Sequence, residues 1–231
     1  MVQTYSIILW RNPVGLPHEE AVSMTEKTFR CLEEYNPDPA PQYLTAWSKK
    51  NAKSFDRSRE AIEELFRKEQ KRANWPETNT GFTCSMFSSM DDSKALGAMF
   101  TWGTRYSALT DCVILDFPIR FLEVYYKSSS FKKLFCDLVT YIQPHFAFVS
   151  NGLNNQISDH LWLGKPTCVH WMNYYSKELL SDVNIQKAQD YTEVQETENG
   201  TFVFLVDEPF DILRKDHLRK QRHVSRLMGL L

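Results

Sequence analysis

The strongest chemical signature in the chain is Asp207-Glu208, which ends an apolar run in GTFVFLVDEPFD, residues 200–211. Many nucleotide hydrolases end a buried strand in an acidic pair, with one carboxylate on magnesium and the other near the attacking water. That chemistry also needs a loop, Gly-x-x-x-x-Gly-Lys-Ser/Thr, to hold the phosphates. The sole Gly-Lys pair, Gly164-Lys165, lacks the upstream glycine and the following Ser or Thr. We therefore expect Asp207 and Glu208 to be the first solvated residues after a buried strand, and not an ATPase site.

Cysteine and histidine offer two other kinds of chemistry, a nucleophile and a metal site. Cys168 and His170 would share one face of a strand, and His145 and His160 lie within reach in sequence. No second ligand pair has the spacing of a zinc site, so we expect no metal. A small hydrolase with a Cys/His or acid/base site stays open as an alternative, because the partner of a nucleophile is found in space and not in sequence.

The composition is that of an ordinary globular protein. The 231 residues are 42% hydrophobic and 24% charged, which is sufficient for one buried core. Five cysteines, an odd number without Cys-x-x-Cys spacing, argue against a disulfide framework or a zinc ribbon. The opening MVQTYSIILWRNP has no basic leader and only a short apolar run. We therefore expect no signal peptide, no membrane span and a cytoplasmic location.

Charge is unevenly distributed along the chain. Residues 212–231 contain six Lys or Arg and one acidic residue, whereas residues 1–211 contain 21 basic and 28 acidic residues, a net charge of −7. The acidic body argues against a large nucleic-acid footprint. The basic C-terminal helix leaves a second alternative open, a nucleic-acid-binding regulatory module that uses this helix.

Periodicity and turn signals predict the elements of the first half. The β-branched and aromatic residues 4–11 predict a strand, and a helix is expected after Pro17. A second helix, capped by Ser54 or Asp56, follows a proline-rich loop. Segments 81–90 and 95–103 then flank turn residues, predicting a hairpin, and residues 112–118 supply a third antiparallel strand.

The second half is predicted to continue with a helix, a strand, a hairpin and a last helix. The helix has an apolar stripe made of Phe131, Leu134, Phe135, Leu138, Val139 and Ile142. Residues 145–151 read as a strand, the chain becomes helix-like around Lys177 to Leu180, and Asn199-Gly200 is a hairpin turn signal. Asp216 is the expected N-cap of the last helix. These elements predict a single α+β domain, residues 1–231, with an antiparallel sheet of a meander and hairpins flanked by several helices.

The order of these elements and the short sequence segments within them resemble the immunity protein 52 family of bacterial polymorphic toxin systems. The resemblance is carried by the opening IILWR strand, by CLEEYNPDP followed by YLTAW, by the GFTCSMFSSMDD hairpin followed by DCVILDFP, by HWMNYY, and by GTFVFLVDEPFD before a terminal helix. These features run the length of the chain.

Members of this family are non-enzymatic antidotes encoded beside a toxin, often one with a restriction-endonuclease-like nuclease domain. The resemblance implies a protein that binds and neutralises a cognate toxin by occluding its active site. It implies no catalytic residue, no metal, no cofactor, and no direct contact with nucleic acid or membrane. It carries over no binding residue position by position. An acidic body would suit a partner whose DNA-cutting surface is basic.

We expect the toxin contacts among exposed acidic and aromatic side chains. Acidic groups on loops speed the encounter with a basic partner, and an aromatic anchor, if exposed, slows dissociation. The candidate toxin-binding residues are Asp91, Asp92, Trp102, Tyr106, Glu193, Glu196 and Glu198.

Overall fold

The computed structural model describes residues 4–35, 40–46, 48–105, 110–118, 128–151 and 166–230. Ten strands form one sheet, and each neighbouring pair is antiparallel. In chain order they are β1 (Thr4–Arg11), β2 (Tyr43–Leu44), β3 (Lys53–Ser54), β4 (Thr80–Phe87), β5 (Gly97–Thr104), β6 (Asp111–Pro118), β7 (Phe146–Asn151), β8 (Met172–Ser176), β9 (Glu193–Glu196) and β10 (Gly200–Phe204). Across the sheet the order is β3-β2-β4-β5-β6-β1-β7-β8-β10-β9.

Four α-helices are described beside the sheet. They are α1 (His18–Tyr35), α2 (Arg59–Arg72), α3 (Ser128–Ile142) and α4 (Lys215–Leu227), and short 3-10 helices lie at Lys49–Asn51, Leu179–Ser181 and Gln186–Ala188. Within the described residues, no helix is both long enough and apolar enough to cross a bilayer. The predicted α+β class, with its antiparallel sheet flanked by helices, is confirmed.

The first strand in the sequence is a central strand of the sheet. β1 lies between β6 and β7, so Ile7 is paired with Leu115 on one side and with Val149 on the other. Residues 5–10 of β1 are all at most 6% exposed. A run of consecutive apolar residues, here IILW at residues 7–10, is typical of a strand that is buried on both faces.

The two faces of the sheet are covered by different parts of the chain. On one face α1 packs between α2 and α3, and Phe135 of α3 meets Phe202 of β10 edge-on, with ring centroids 5.9 Å apart. On the other face Trp10 packs edge-on against Phe146 and Phe148. Segment 179–189 and the end of α4 also lie on that second face, beside Thr201 of β10.

The apolar stripe predicted for α3 is confirmed. All six of its residues are at most 3% exposed. Phe131 stacks on Trp171, which precedes β8, with ring centroids 5.7 Å apart. Because aromatic and aliphatic burial of this kind supplies most of the folding free energy, α3 is an essential part of the core.

The N-cap of α2 lies later than the sequence suggested. The cap is Ser58, whose side chain accepts a hydrogen bond from the Ala61 backbone N–H. Asp56 supports the cap from outside, because its Oδ1 accepts hydrogen bonds from the Ser58 backbone N–H and hydroxyl group. Both predicted caps, Ser54 and Asp56, were wrong, since Ser54 is the end of β3 and Asp56 lies two residues before the cap.

Two other local predictions needed correction. Asp216 is inside the first turn of α4, and the N-cap position belongs to Arg214, whose guanidinium is 2.5 Å from an Asp216 carboxylate oxygen. The predicted hairpin of β9 and β10 is confirmed, but Gly200 is the first residue of β10 and not part of the turn. A Cβ atom at Gly200 would collide with the Tyr175 carbonyl oxygen, so close strand approach explains the glycine.

We predict that Leu138→Ala lowers the free energy of unfolding by about 2 to 5 kcal/mol, the range for a buried leucine truncated to alanine. Leu138 is fully buried on α3. The matched control is Thr140→Ala on the same helix, since Thr140 is exposed and should change stability by less than about 0.5 kcal/mol. Urea unfolding of both variants measures the difference, and equal small effects would show that this face of α3 does not pack on the sheet.

Candidate functional site

The acidic pair that ends the apolar run is exposed, as the sequence indicated. Asp207 and Glu208 follow β10, and both side chains face solvent. Glu208 Oε1 accepts hydrogen bonds from Arg214 Nη1 at 2.5 Å and from His217 Nε2 at 3.1 Å. The hydrogen bond from His217, followed by that from Arg214, lowers the pKa of Glu208. Glu208 therefore fastens the loop after β10 to the start of α4.

The tautomer of His217 follows from its two partners. Its Nδ1 accepts a hydrogen bond from the Asp211 backbone N–H at 3.0 Å, so the proton is on Nε2 and is donated to Glu208. The ring is 2% exposed and stacks on Phe210. Among the described residues, no group of three or more His, Cys, Asp and Glu is arranged to hold a metal ion.

Cys168 and His170 are brought together, but the pair is not charged. The Cys168 Sγ lies 3.6 Å from His170 Nε2, and the imidazole stacks on Phe148 with ring centroids 4.0 Å apart. Burial raises the pKa of the Cys168 thiol to about 11 and lowers the pKa of His170 to about 3. Both groups are therefore neutral at pH 7. An activated cysteine nucleophile needs a thiolate, which this apolar environment disfavours.

A group of three side chains with no sequence motif, His145, Ser176 and Glu178, lies where β1 and β8 end and β7 begins. His145 Nδ1 is 3.2 Å from Ser176 Oγ and 3.3 Å from Glu178 Oε2. A catalytic triad requires the hydroxyl and the carboxylate on opposite imidazole nitrogens. Here both contact the same nitrogen, so the arrangement links the ends of strands and does not activate the serine.

The acidic candidates differ in whether their carboxylates already have a hydrogen-bond or ion-pair partner. Asp91 accepts hydrogen bonds from Ser93, and Asp92 lies 2.5 Å from Lys49 Nζ. Glu193 lies 2.5 Å from Lys132 Nζ.

Within the described part of the chain, no ion pair involves Glu196 or Glu198, and both side chains are exposed. These two are thus the candidates most available to a partner.

The acidic candidates do not form one surface. Asp91 and Asp92 lie in the turn between β4 and β5, whereas Glu193 and Glu196 belong to β9. Seven strand spacings separate β4 from β9. At about 4.8 Å per spacing this is roughly 34 Å. The sequence could not show this separation, because it follows from the order of strands in the sheet.

Neither aromatic candidate is an exposed side chain among the described residues. Trp102 is fully buried, so the condition that it be exposed is not met. Its indole Nε1 donates a hydrogen bond to Thr25 Oγ1 of α1 at 3.0 Å, because alternation along β5 directs it toward the helices. Tyr106 lies outside the described residues.

Carboxylates concentrate around the edge of the sheet formed by β9. A cleft of about 500 Å³ beside Glu196 and Thr201 is lined by two acidic residues, Asp182 and Glu196, and by no Lys, Arg or His of the described chain. A second cleft, of about 670 Å³, adjoins the other end of β9 and contains four acidic residues and Lys220. We call the lining acids the carboxylate edge: Asp182, Asp190, Glu193, Glu196, Asp207 and Glu208.

Comparison with known proteins supports the fold. No family model matches the sequence, and no curated protein matches it. Among solved structures, the chain is similar to a Pseudomonas aeruginosa protein of the type VI secretion system (T6SS), PA0821, with a TM-score of 0.58 and 11% sequence identity. The match covers 98% of this chain and 73% of that chain. At this identity the likeness establishes an α+β fold with a large antiparallel sheet.

We predict that Asp207→Asn combined with Glu208→Gln changes neither ATP binding nor any ATP turnover. The chain has no phosphate-binding loop, and Glu208 is occupied by Arg214 and His217. Phosphate release from ATP and magnesium by the purified protein measures turnover. Magnesium-dependent hydrolysis that disappears in the double variant would contradict this assignment.

We predict that His170 makes the protein less stable at mildly acidic pH. The unfolded chain binds a proton at the ordinary pKa of 6.5, whereas burial keeps the folded imidazole neutral down to about pH 3. Stability is therefore lost as pH falls from about 6.5 toward 3, by about 2 kcal/mol between pH 7 and pH 5.

Urea unfolding of the wild type and of His170→Phe at both pH values measures this contribution. The variant should lose less stability on acidification, and His223→Gln, at an exposed position, is the control. An identical pH dependence in wild type and His170→Phe would show that the imidazole is protonated in the folded protein.

Proposed function

We propose that this protein is an immunity protein that binds a cognate toxin in the cytoplasm and holds it inactive by covering its active site. The toxin expected from the family resemblance is a nuclease, and the protein carries out no chemistry of its own. The observation that carries the proposal is the carboxylate edge. A nuclease needs a basic surface to hold DNA phosphates, and an acidic edge beside two open clefts is complementary to such a surface.

Two further points support a role in toxin neutralisation. The sequence features quoted for the immunity protein 52 family run the length of the chain, and the fold is similar to that of a T6SS protein over 98% of the chain. The neutral state of the Cys168 and His170 pair also favours binding over cysteine-based hydrolysis.

The interface with the toxin must be both tight and of ordinary size. An antidote has to outcompete a toxin that needs few turnovers, so a dissociation constant near 1 nM, about −12 kcal/mol, is expected. Specific, stable protein–protein interfaces bury about 1,600 Å² of total surface. The contact must therefore extend from the carboxylate edge onto neighbouring surfaces.

The direct test uses the toxin encoded beside this gene. We expect co-expression with this protein to protect cells from the toxin, and the purified pair to bind with a dissociation constant near 1 nM. The toxin with a disabled catalytic centre serves as the control for the effect on growth. If co-expression gives no protection and no complex forms at micromolar concentrations, the proposal is wrong.

Charge reversal distinguishes the two acidic surfaces. We predict that Glu196→Lys with Glu198→Lys slows association with the toxin about tenfold at low salt and weakens the salt dependence. The matched double reversal, Asp91→Lys with Asp92→Lys, lies about 34 Å away, several Debye lengths at physiological salt, and should change the association rate less than twofold. Surface plasmon resonance measures both rates. The opposite pattern would place the interface at the turn between β4 and β5.

A further inference from the structure

The edge strand β9 has backbone groups that point away from the sheet. Thr197 N–H donates to the Gly200 carbonyl at 2.8 Å, which sets the pairing of β9 with β10. In an antiparallel pair, the backbone N–H and C=O groups of alternate residues bond to the neighbouring strand. The backbone groups of Glu193 and Gln195 therefore point toward β10. Val194 and Glu196 consequently direct their N–H and C=O groups outward. Those groups have no hydrogen-bond partner among the described residues.

The side chains beside this edge determine which segment would fit. Val194 and Glu196 project to the same face of the sheet as Thr201, and on this face lies the cleft lined by Asp182 and Glu196. A strand added beside β9 would place alternate side chains over that cleft. The cleft, at about 500 Å³, has room for a long side chain, and its charged lining is acidic. A lysine or arginine is therefore the complementary side chain.

The charges along β9 disfavour pairing with a second copy of this chain. A second β9 strand beside this one would bring two acidic strands together, each with two glutamates in four residues, Glu193 and Glu196. Like charges facing each other across two strands are destabilising, and charged side chains on edge strands are a known protection against self-association. The occupant is thus a different, basic chain.

We propose that β9 binds an extended, lysine- or arginine-bearing segment of a protein partner by strand addition, with one cationic side chain in the cleft between Asp182 and Glu196. Backbone hydrogen bonds to Val194 and Glu196 hold the partner segment beside β9. The carboxylates of Asp182 and Glu196 favour a positively charged side chain on that segment. The identity of the partner as the toxin rests on the proposed function, whereas the strand addition itself does not.

A peptide tests the strand addition without the toxin. The probe is the capped peptide Lys-Thr-Lys-Val-Lys-Thr-Lys, titrated into the ¹⁵N-labelled full chain and followed by NMR. We expect saturable shifts of the amide signals of residues 193–198, with a dissociation constant of about 1 mM because only a few hydrogen bonds form. The same peptide with its central amides N-methylated, or with Glu replacing each Lys, should leave these signals unshifted.

Protein variants separate backbone pairing from charge. Val194→Pro removes an outward N–H at a position where an edge strand tolerates proline, and Val194→Ala is the matched control that keeps it. We expect the peptide shifts to be lost in Val194→Pro, retained in Val194→Ala, and weakened at least fivefold in affinity in Glu196→Lys. Asp92→Lys, on the distant turn, should have no effect.

Two results would overturn the proposal. One is the absence of saturable shifts at several millimolar Lys-Thr-Lys-Val-Lys-Thr-Lys. The other is equal binding of the N-methylated peptide, which would show attraction by charge without strand pairing, and this comparison holds even if Val194→Pro fails to fold.

The toxin then separates the two proposals. If the wild type neutralises the toxin and Glu196→Lys and Val194→Pro do so equally well, the toxin does not bind by strand addition at β9 and the proposed function stands. If the peptide binds as expected but the toxin does not bind, the proposed function is wrong and the strand addition stands.

Discussion

The fold depends on burying β1 on both of its faces. Residues 5–10 of β1 are at most 6% exposed, although they occur within the first ten residues of the chain. Burial of this kind requires helices α1 to α3 on one face and the aromatic layer around Phe146 and Phe148 on the other. β1 is also paired on both edges, with β6 and β7, and the remaining strands extend the sheet outward on either side.

A sheet buried at its centre interacts with partners most readily at its edges. The described groups that looked reactive in the sequence make structural contacts: Glu208 holds the start of α4, and the buried His170 and the half-buried Cys168 are both neutral. By contrast, the carboxylate edge at β9 combines outward backbone groups, two clefts and an excess of acidic side chains. This combination is why we locate partner binding there.

Local features of the fold could be predicted from the sequence, and long-range ones could not. The stripe of α3 and the hairpin of β9 and β10 follow from spacing and turn residues within one segment, and both were confirmed. The burial of Trp102 and the separation of Asp92 from Glu196 depend on strand order, which no local pattern encodes. For the same reason the carboxylate edge, built from residues 182 to 208, was only partly visible as an acidic run.

The central claim is that a basic toxin binds at the β9 edge, and hydrogen–deuterium exchange of the complex measures this most directly. The amides of Val194 and Glu196 point to solvent in the free protein and should exchange quickly. The account predicts that adding the toxin slows exchange in a peptide containing residues 193–198, while the turn containing Asp91 and Asp92 stays unchanged. Slowed exchange at that turn, with none at β9, would contradict the account.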